Sequence, residues 1–435
     1  FYKLLIFFYF INLLFNSLFL SNKENKMDNP KEKFLVMTNN LFTFDSYSCD
    51  CVTDIENIRP GEVKKTLKIQ GLADQPIRFA FAPDKGMVRL AKSGSIDSDR
   101  ILTQLLSLPE NNIDKLFEFF KDYGFFFPIS TDEYEAIDIF SLFDLVNRIK
   151  AVVFLMNELG DVKKDYKKML SMVLYLQLKP PIQLSFHCFQ QPYVTCQHQL
   201  YYEIERASDL PQINNPYEEF NSDFYTIVDT IYPPSYQLDI EEYTNIVNGY
   251  DKDTPGATQS QFYKNVTRLY RNAPNLSYEL RLMIDFLFHY QKNIGIIKSF
   301  DDFGKVEYYD TDENIRIRYN LNFDDKMKKA LIEIAKITIS EELEYNLQGI
   351  YPRYDVKTMS PSWAISDMLT GIYFSIFYMR PGLELYRKCE NPNCDRWFLV
   401  KTTSTKKKYC SSSCSNSMAQ RNHRKRKKEL EKRNP

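Results

Sequence analysis

At 435 residues, with 44% hydrophobic and 26% charged residues, the chain can bury cores in two or three domains and lacks the composition of a disordered protein. Tyr and Phe number 30 and 33 against 13 Gly, and neither GxxxxGK(S/T) nor GxGxxG occurs, which argues against a glycine-rich phosphate loop and against a nucleotide cofactor. The formal net charge of −1 conceals a gradient: from Arg387 onward fifteen Lys and Arg stand against four Asp and Glu, so an acidic body carries a basic end suited to a polyanion.

The first stretch, "LLIFFYFINLLFNSLFL" (residues 4–20), is at the lower limit for a membrane span. It contains Asn12 and Asn16, and has Lys3 on one side and Lys23 and Lys26 on the other. Met27 opens a polar, start-like "MDNPKEK". We expect residues 1–26 to be upstream sequence translated in frame and the protein to be cytoplasmic. The alternative is a genuine membrane anchor or signal segment formed by residues 4–20.

Residues 27–97 are expected to form a small β-containing N-terminal part, with extended segments in "KFLVMT", "KKTLKIQGL" and "IRFAFAP". Residues 98–386 are expected to form a mainly α-helical body. "NNIDKLFEFFKDYG" has Asn112 as N-cap, an apolar stripe at Ile113, Leu116, Phe117 and Phe120, and Gly124 as stop. Ser130 with Glu133 forms a capping box before a long apolar helix that Gly160 ends. Further helices are predicted at 162–177, 277–297, 325–348 and 362–380, with a loop over 250–260.

"HCFQQPYVTCQH" carries His187, Cys188, Cys196 and His198, four nitrogen and sulfur donors in a short span. Adjacent His187 and Cys188 do not easily face one ion, so packed core cysteines are the preferred reading over a second metal site. Cys49 and Cys51 are too close for a knuckle. His289, on the apolar "LMIDFLFHY" segment, reads as a core histidine rather than a general base. No spacing of acids and histidines singles out an acid–base pair, so the sequence supports no named reaction.

Half of the eight cysteines lie in "CENPNCDRWFLVKTTSTKKKYCSSSC" (residues 389–414). Cys389 and Cys394 flank a turn-forming "ENPN". Cys410 and Cys414, at i and i+4, share one face at the start of a serine-capped helix. Two close thiol pairs in a chain expected to stay reduced point to one structural Zn²⁺ rather than disulfides or free thiols. With all four positions filled by Cys, no site is left for a catalytic water. The expected unit is a treble-clef-like finger over residues 387–435, with Trp397, Phe398 and Tyr409 as its small core and a body able to survive its loss. The basic run that follows, with Asn416, Arg421, Arg424, Lys425, Arg426, Lys427 and Lys428, is the candidate nucleic-acid surface.

The pattern C-x4-C-x-x-W-F … Y-C-S-x-x-C followed by a basic helix resembles the CGNR-type zinc fingers of bacterial proteins. The lead-in from "KKALIEIAKITISEELEYN" to "GLELYRKC" looks like the segment preceding such fingers in large bacterial proteins. The likeness runs over about 325–424, with a fainter echo at "IDKLFEFFKDYGFF". It departs at the name motif, where Ser415, Asn416 and Ser417 replace Gly-Asn-Arg; any role of that Arg would pass to Arg421 or Arg424. The resemblance implies a DNA-binding transcriptional regulator; for the whole chain we expect, in addition, a helical body that senses a signal or forms a homo-oligomer. Two alternatives remain beside it. One is an interaction adaptor with a merely solvated tail; the other is a defence or stress protein with an unrecognised enzymatic body.

Overall fold

The protein is described from a computed structural model covering residues 43–433, apart from 60–61, 83–85, 91–95, 188–191, 210–228, 233–244, 247–253, 273–275, 357–358 and 405–406. The hydrophobic stretch at 4–20 and the "KFLVMT" segment lie outside the described residues. Among those described, no helix is long and apolar enough to cross a membrane.

The N-terminal β part is larger than the sequence suggested. β1 (Thr43–Arg59) and β2 (Glu62–Ala82) pair antiparallel, with a register shift between Tyr47 and Cys49. Leu67, Ile69, Ile77, Phe79 and Phe81 are all buried on β2, the period-2 alternation of a sheet with one covered face. β3 (Gly86–Leu90) and β4 (Ile96–Arg100) extend the sheet in the order β1-β2-β3-β4. After α1 (Ile101–Leu106) and α2 (Ile113–Tyr123), β5 (Glu135–Asp138) joins the edge of β2 with Leu67 opposite Ile137.

That fifth strand corrects the capping-box expectation. The Ser130 hydroxyl accepts from the Asp132 and Glu133 N–H groups, and its carbonyl accepts from Gly71, so it closes a turn. The free edge of β2 captures residues 135–138. The helix then starts at Asp138, whose carboxylate accepts from the Ser141 N–H. This helix, α3 (Ile139–Gly160), is buried on most of its surface from Leu142 to Met156, as a helix at the centre of a domain must be, while Phe140 in its first turn is exposed. The sheet, α4 (Tyr166–Leu178) and the last third of the chain pack against it.

β6 (Gln183–Leu184) and β7 (Tyr193–Val194) form a short hairpin, followed by α5 (Gln199–Arg206), α6 (Gln261–Asn272) and α7 (Tyr278–Asn293). A second short pair, β8 (Ile297–Ser299) and β9 (Glu307–Tyr308), leads to α8 (Asp312–Asn322) and α9 (Asp325–Asn346). α9 packs on α3, α4 and α7. The helix expected at 362–380 is shorter. Residues 360–364 are β11, paired with β10 (Tyr351–Asp355), and the Asp367 carboxylate caps α10 (Met368–Phe377) through the Thr370 N–H. Helix makes up about 48% and strand about 22%, so helix predominates and the expectation of a mainly helical body holds in part, with small sheets distributed along the chain. The chain closes with the hairpin β12 (Glu384–Lys388) and β13 (Trp397–Lys401), then α11 (Ser412–Arg433).

Candidate metal centre and basic helix

Cys389 directly follows β12, and the turn before β13 holds Cys394. The Cys394 N–H donates to the Asn391 carbonyl, and the Asn391 side chain accepts from the Asn393 N–H, the local turn that "ENPN" encodes. The Cys389 N–H donates to Arg396, and the Glu390 N–H donates to Lys408, which ties the knuckle to the segment entering the helix. Cys410 precedes α11 and Cys414 lies in its first turn, where the Ser411 hydroxyl accepts from the Cys414 N–H.

These elements bring the four Sγ atoms within 4.8 Å of one another. Cys394 to Cys410 and Cys410 to Cys414 are each 3.6 Å. A tetrahedron with metal–sulfur bonds of about 2.3 Å has sulfurs about 3.8 Å apart, so the cluster fits a single structural Zn²⁺. The thiols differ in ease of ionisation. The Ser411 hydroxyl and Asn391 amide lower Cys414 to about 7, whereas burial raises Cys410 to about 12. A bound cation would hold all four as thiolates.

The finger core differs in membership from the expectation. Leu385, Cys389, Phe398 and Val400 are buried together, with Tyr409 and the other cysteines packed against them. Trp397 faces the body instead. Its ring stacks on Phe154 of α3 (centroids 4.5 Å apart, planes at 28°), and its backbone N–H donates to the Ser107 hydroxyl at 2.9 Å. It is therefore not presented for stacking on bases. Asn157 of α3 adds a reciprocal pair: its amide donates to the Tyr386 carbonyl and its oxygen accepts from the Tyr386 N–H, both at 3.0 Å.

Along α11, Asn416, Arg421, Arg424, Lys425 and Arg426 are all exposed. Lys427 and Lys428 belong to the same helix, with side chains outside the described set. Arg421, Arg424 and Lys425 are spaced i, i+3, i+4 and so occupy one stripe, while Arg426 falls on another face.

In the body, the four-donor arrangement at 187–198 does not assemble. His187 turns away and places Nδ1 3.0 Å from Glu135, and Cys188 lies outside the described residues. Cys196 and His198 are buried, and α9 supplies the acidic partners that sequence reasoning missed, Glu341 and Glu342. No local signal links positions 144 residues apart. His289 is a core histidine, its Nε2 2.5 Å from Asp229, whose carboxylate also accepts from the Tyr270 hydroxyl. Burial pushes both the Cys49 and Cys51 thiols well up, which disfavours the thiolate form that reacts or binds metal.

Four clustered cysteines, two on a knuckle and two at the first turn of a helix, define a structural zinc finger. Residues 386–427 match the family model described as CGNR zinc finger. No curated protein and no solved structure matches the chain.

Proposed function

We propose that the protein is a DNA-binding transcriptional regulator of the cytoplasm, contacting nucleic acid through α11, with the rest of the chain acting as a sensing or oligomerising body. The observation that carries this reading is the combination of an exposed cationic helix with a rigid base. The cysteine cluster fixes the first turn of α11, and Trp397 and Asn157 fix the knuckle to α3. Arg421, Arg424 and Lys425 thus point along a defined direction, and Lys428 continues their spacing. Such a cationic stripe is self-repulsive alone and becomes favourable beside phosphates, where condensed counterions are released. Asn416, exposed in the early turns, has the donor and acceptor needed to read a base edge.

The test is binding to duplex DNA across a salt series. With four to six phosphates neutralised, log K against log salt should fall with a slope of about −4 to −5. Combined Arg424→Glu, Lys425→Glu and Lys427→Glu should abolish binding at low salt while zinc content is unchanged. A variant that binds as well as the parent would remove α11 from the interface and favour a protein–protein adaptor.

A further inference from the structure

The geometry points to a second metal site, inside the body, with Cys196, His198 and Glu342 as ligands to one zinc-class divalent ion. It is independent of the finger and of any role in binding nucleic acid.

The three ligand atoms lie within 4.8 Å of one another, and all three residues are buried. Thiolate, imidazole and carboxylate together are a donor set suited to Zn²⁺. They come from two directions: Cys196 and His198 from the segment between β7 and α5, and Glu342 from α9.

Each ligand is oriented from behind. Glu341 lies 2.7 Å from His198 Nδ1, which leaves Nε2 facing Glu342 at 2.9 Å. A carboxylate behind the non-ligating nitrogen fixes the tautomer that a metal-bound histidine requires. Glu341 is itself held by the Gln177 amide at 2.7 Å. The other oxygen of Glu342 accepts from Asn346 at 3.3 Å and from the Tyr373 hydroxyl at 3.4 Å. The segment carrying Cys196 is pinned to the same helix by the Tyr345 hydroxyl on the Val194 carbonyl (2.7 Å) and the Tyr193 hydroxyl on Asn346 (2.9 Å).

Without an ion, a proton on His198 Nε2 bridges to Glu342. Metal binding replaces that proton and the thiol proton of Cys196, so two protons leave as one divalent ion enters. The Glu341 side chain is 37% exposed and marks the side from which an ion would enter. Three protein ligands leave the fourth position to water.

The full chain, reduced, equilibrated with excess Zn²⁺ and freed of unbound metal, should retain two zinc ions. Cys196→Ser and Glu342→Gln should each retain one. Cys410→Ser should also retain one, now the body ion, so loss of either site is read separately. Because a core variant can fail to fold, the parent itself supplies a second measurement. After zinc removal, a Co²⁺ titration should show two equivalents producing d–d absorption, the second with a single thiolate-to-cobalt contribution. Retention of one zinc by the parent, retention of two by folded Cys196→Ser, or saturation at one Co²⁺ equivalent would overturn the assignment.

Discussion

Lys150 lies mid-way along α3, buried, with its ammonium donating to the Leu108 carbonyl at 2.6 Å. Burial lowers its pKa to about 8 and nearby Lys388 acts in the same direction, against the pull of Glu110. Between pH 8 and 10.5 the unfolded chain therefore holds a proton that the folded chain has released, so stability rises as pH increases through that window. The gain should reach at most about 3 kcal/mol. Denaturant titrations at pH 7.5 and 10 should show it in the parent, and Lys150→Met should remove it. At the same scale, Trp397→Ala deletes the stack on Phe154 and should cost about 3 kcal/mol while leaving the four thiols and their zinc in place. A variant that loses zinc along with stability would show that the ring supports the knuckle and not only the joint.

Among the elements, the joint between α3 and β12 has no tolerance for added bulk. A Cβ on Gly160 would stand 2.6 Å from the Gly382 backbone nitrogen, a clash with main chain that cannot rotate away. Gly160→Ala should push the 380–385 turn off the helix end and lower the melting temperature. Asn157→Leu leaves the buried Tyr386 N–H and C=O without their partners and should cost about 2 kcal/mol or more. In both variants limited proteolysis should cut first between residues 380 and 388. A parent-like digestion pattern would mean that the finger is held by its own contacts alone. Element boundaries show which local signals prevail. Asn112, Asp165, Ser277, Asp324 and Asp367 each cap the helix that follows them. Ser130 offers the same chemistry and starts no helix, because residues 135–138 complete the edge of β2.

Across the whole molecule, the finger and body share a core. Tyr386 belongs to the main hydrophobic cluster, and Trp397 and Leu399 pack against it. This changes the expectation that the body would be indifferent to the finger. Cys410→Ser, which removes one finger ligand, should lower the midpoint of the main thermal transition measured by far-ultraviolet circular dichroism. A separate low-temperature step with the main midpoint unmoved would mean that the two parts unfold independently. Coupling of this kind would give the basic helix a fixed orientation relative to the body, which the proposed regulatory function requires.

The sequence by itself determined what short-range geometry controls. Cysteine pairs with four and three residues between their members, a turn-forming "ENPN" and a serine beside the last pair bring four sulfurs together almost without help from the rest of the chain. Most helices were legible for the same reason, since a cap and a 3.6-residue stripe are local properties. Tertiary structure alone decided what depends on packing. It drew 135–138 into the sheet and turned Trp397 from the finger towards Phe154. It separated His187 from Cys196 and His198, and set the latter two against Glu341 and Glu342. Over a few residues the backbone fixes which side chains can meet. Over 144 residues many partners are sterically open, and only the burial of the segment between β7 and α5 against α9 in one core selects among them.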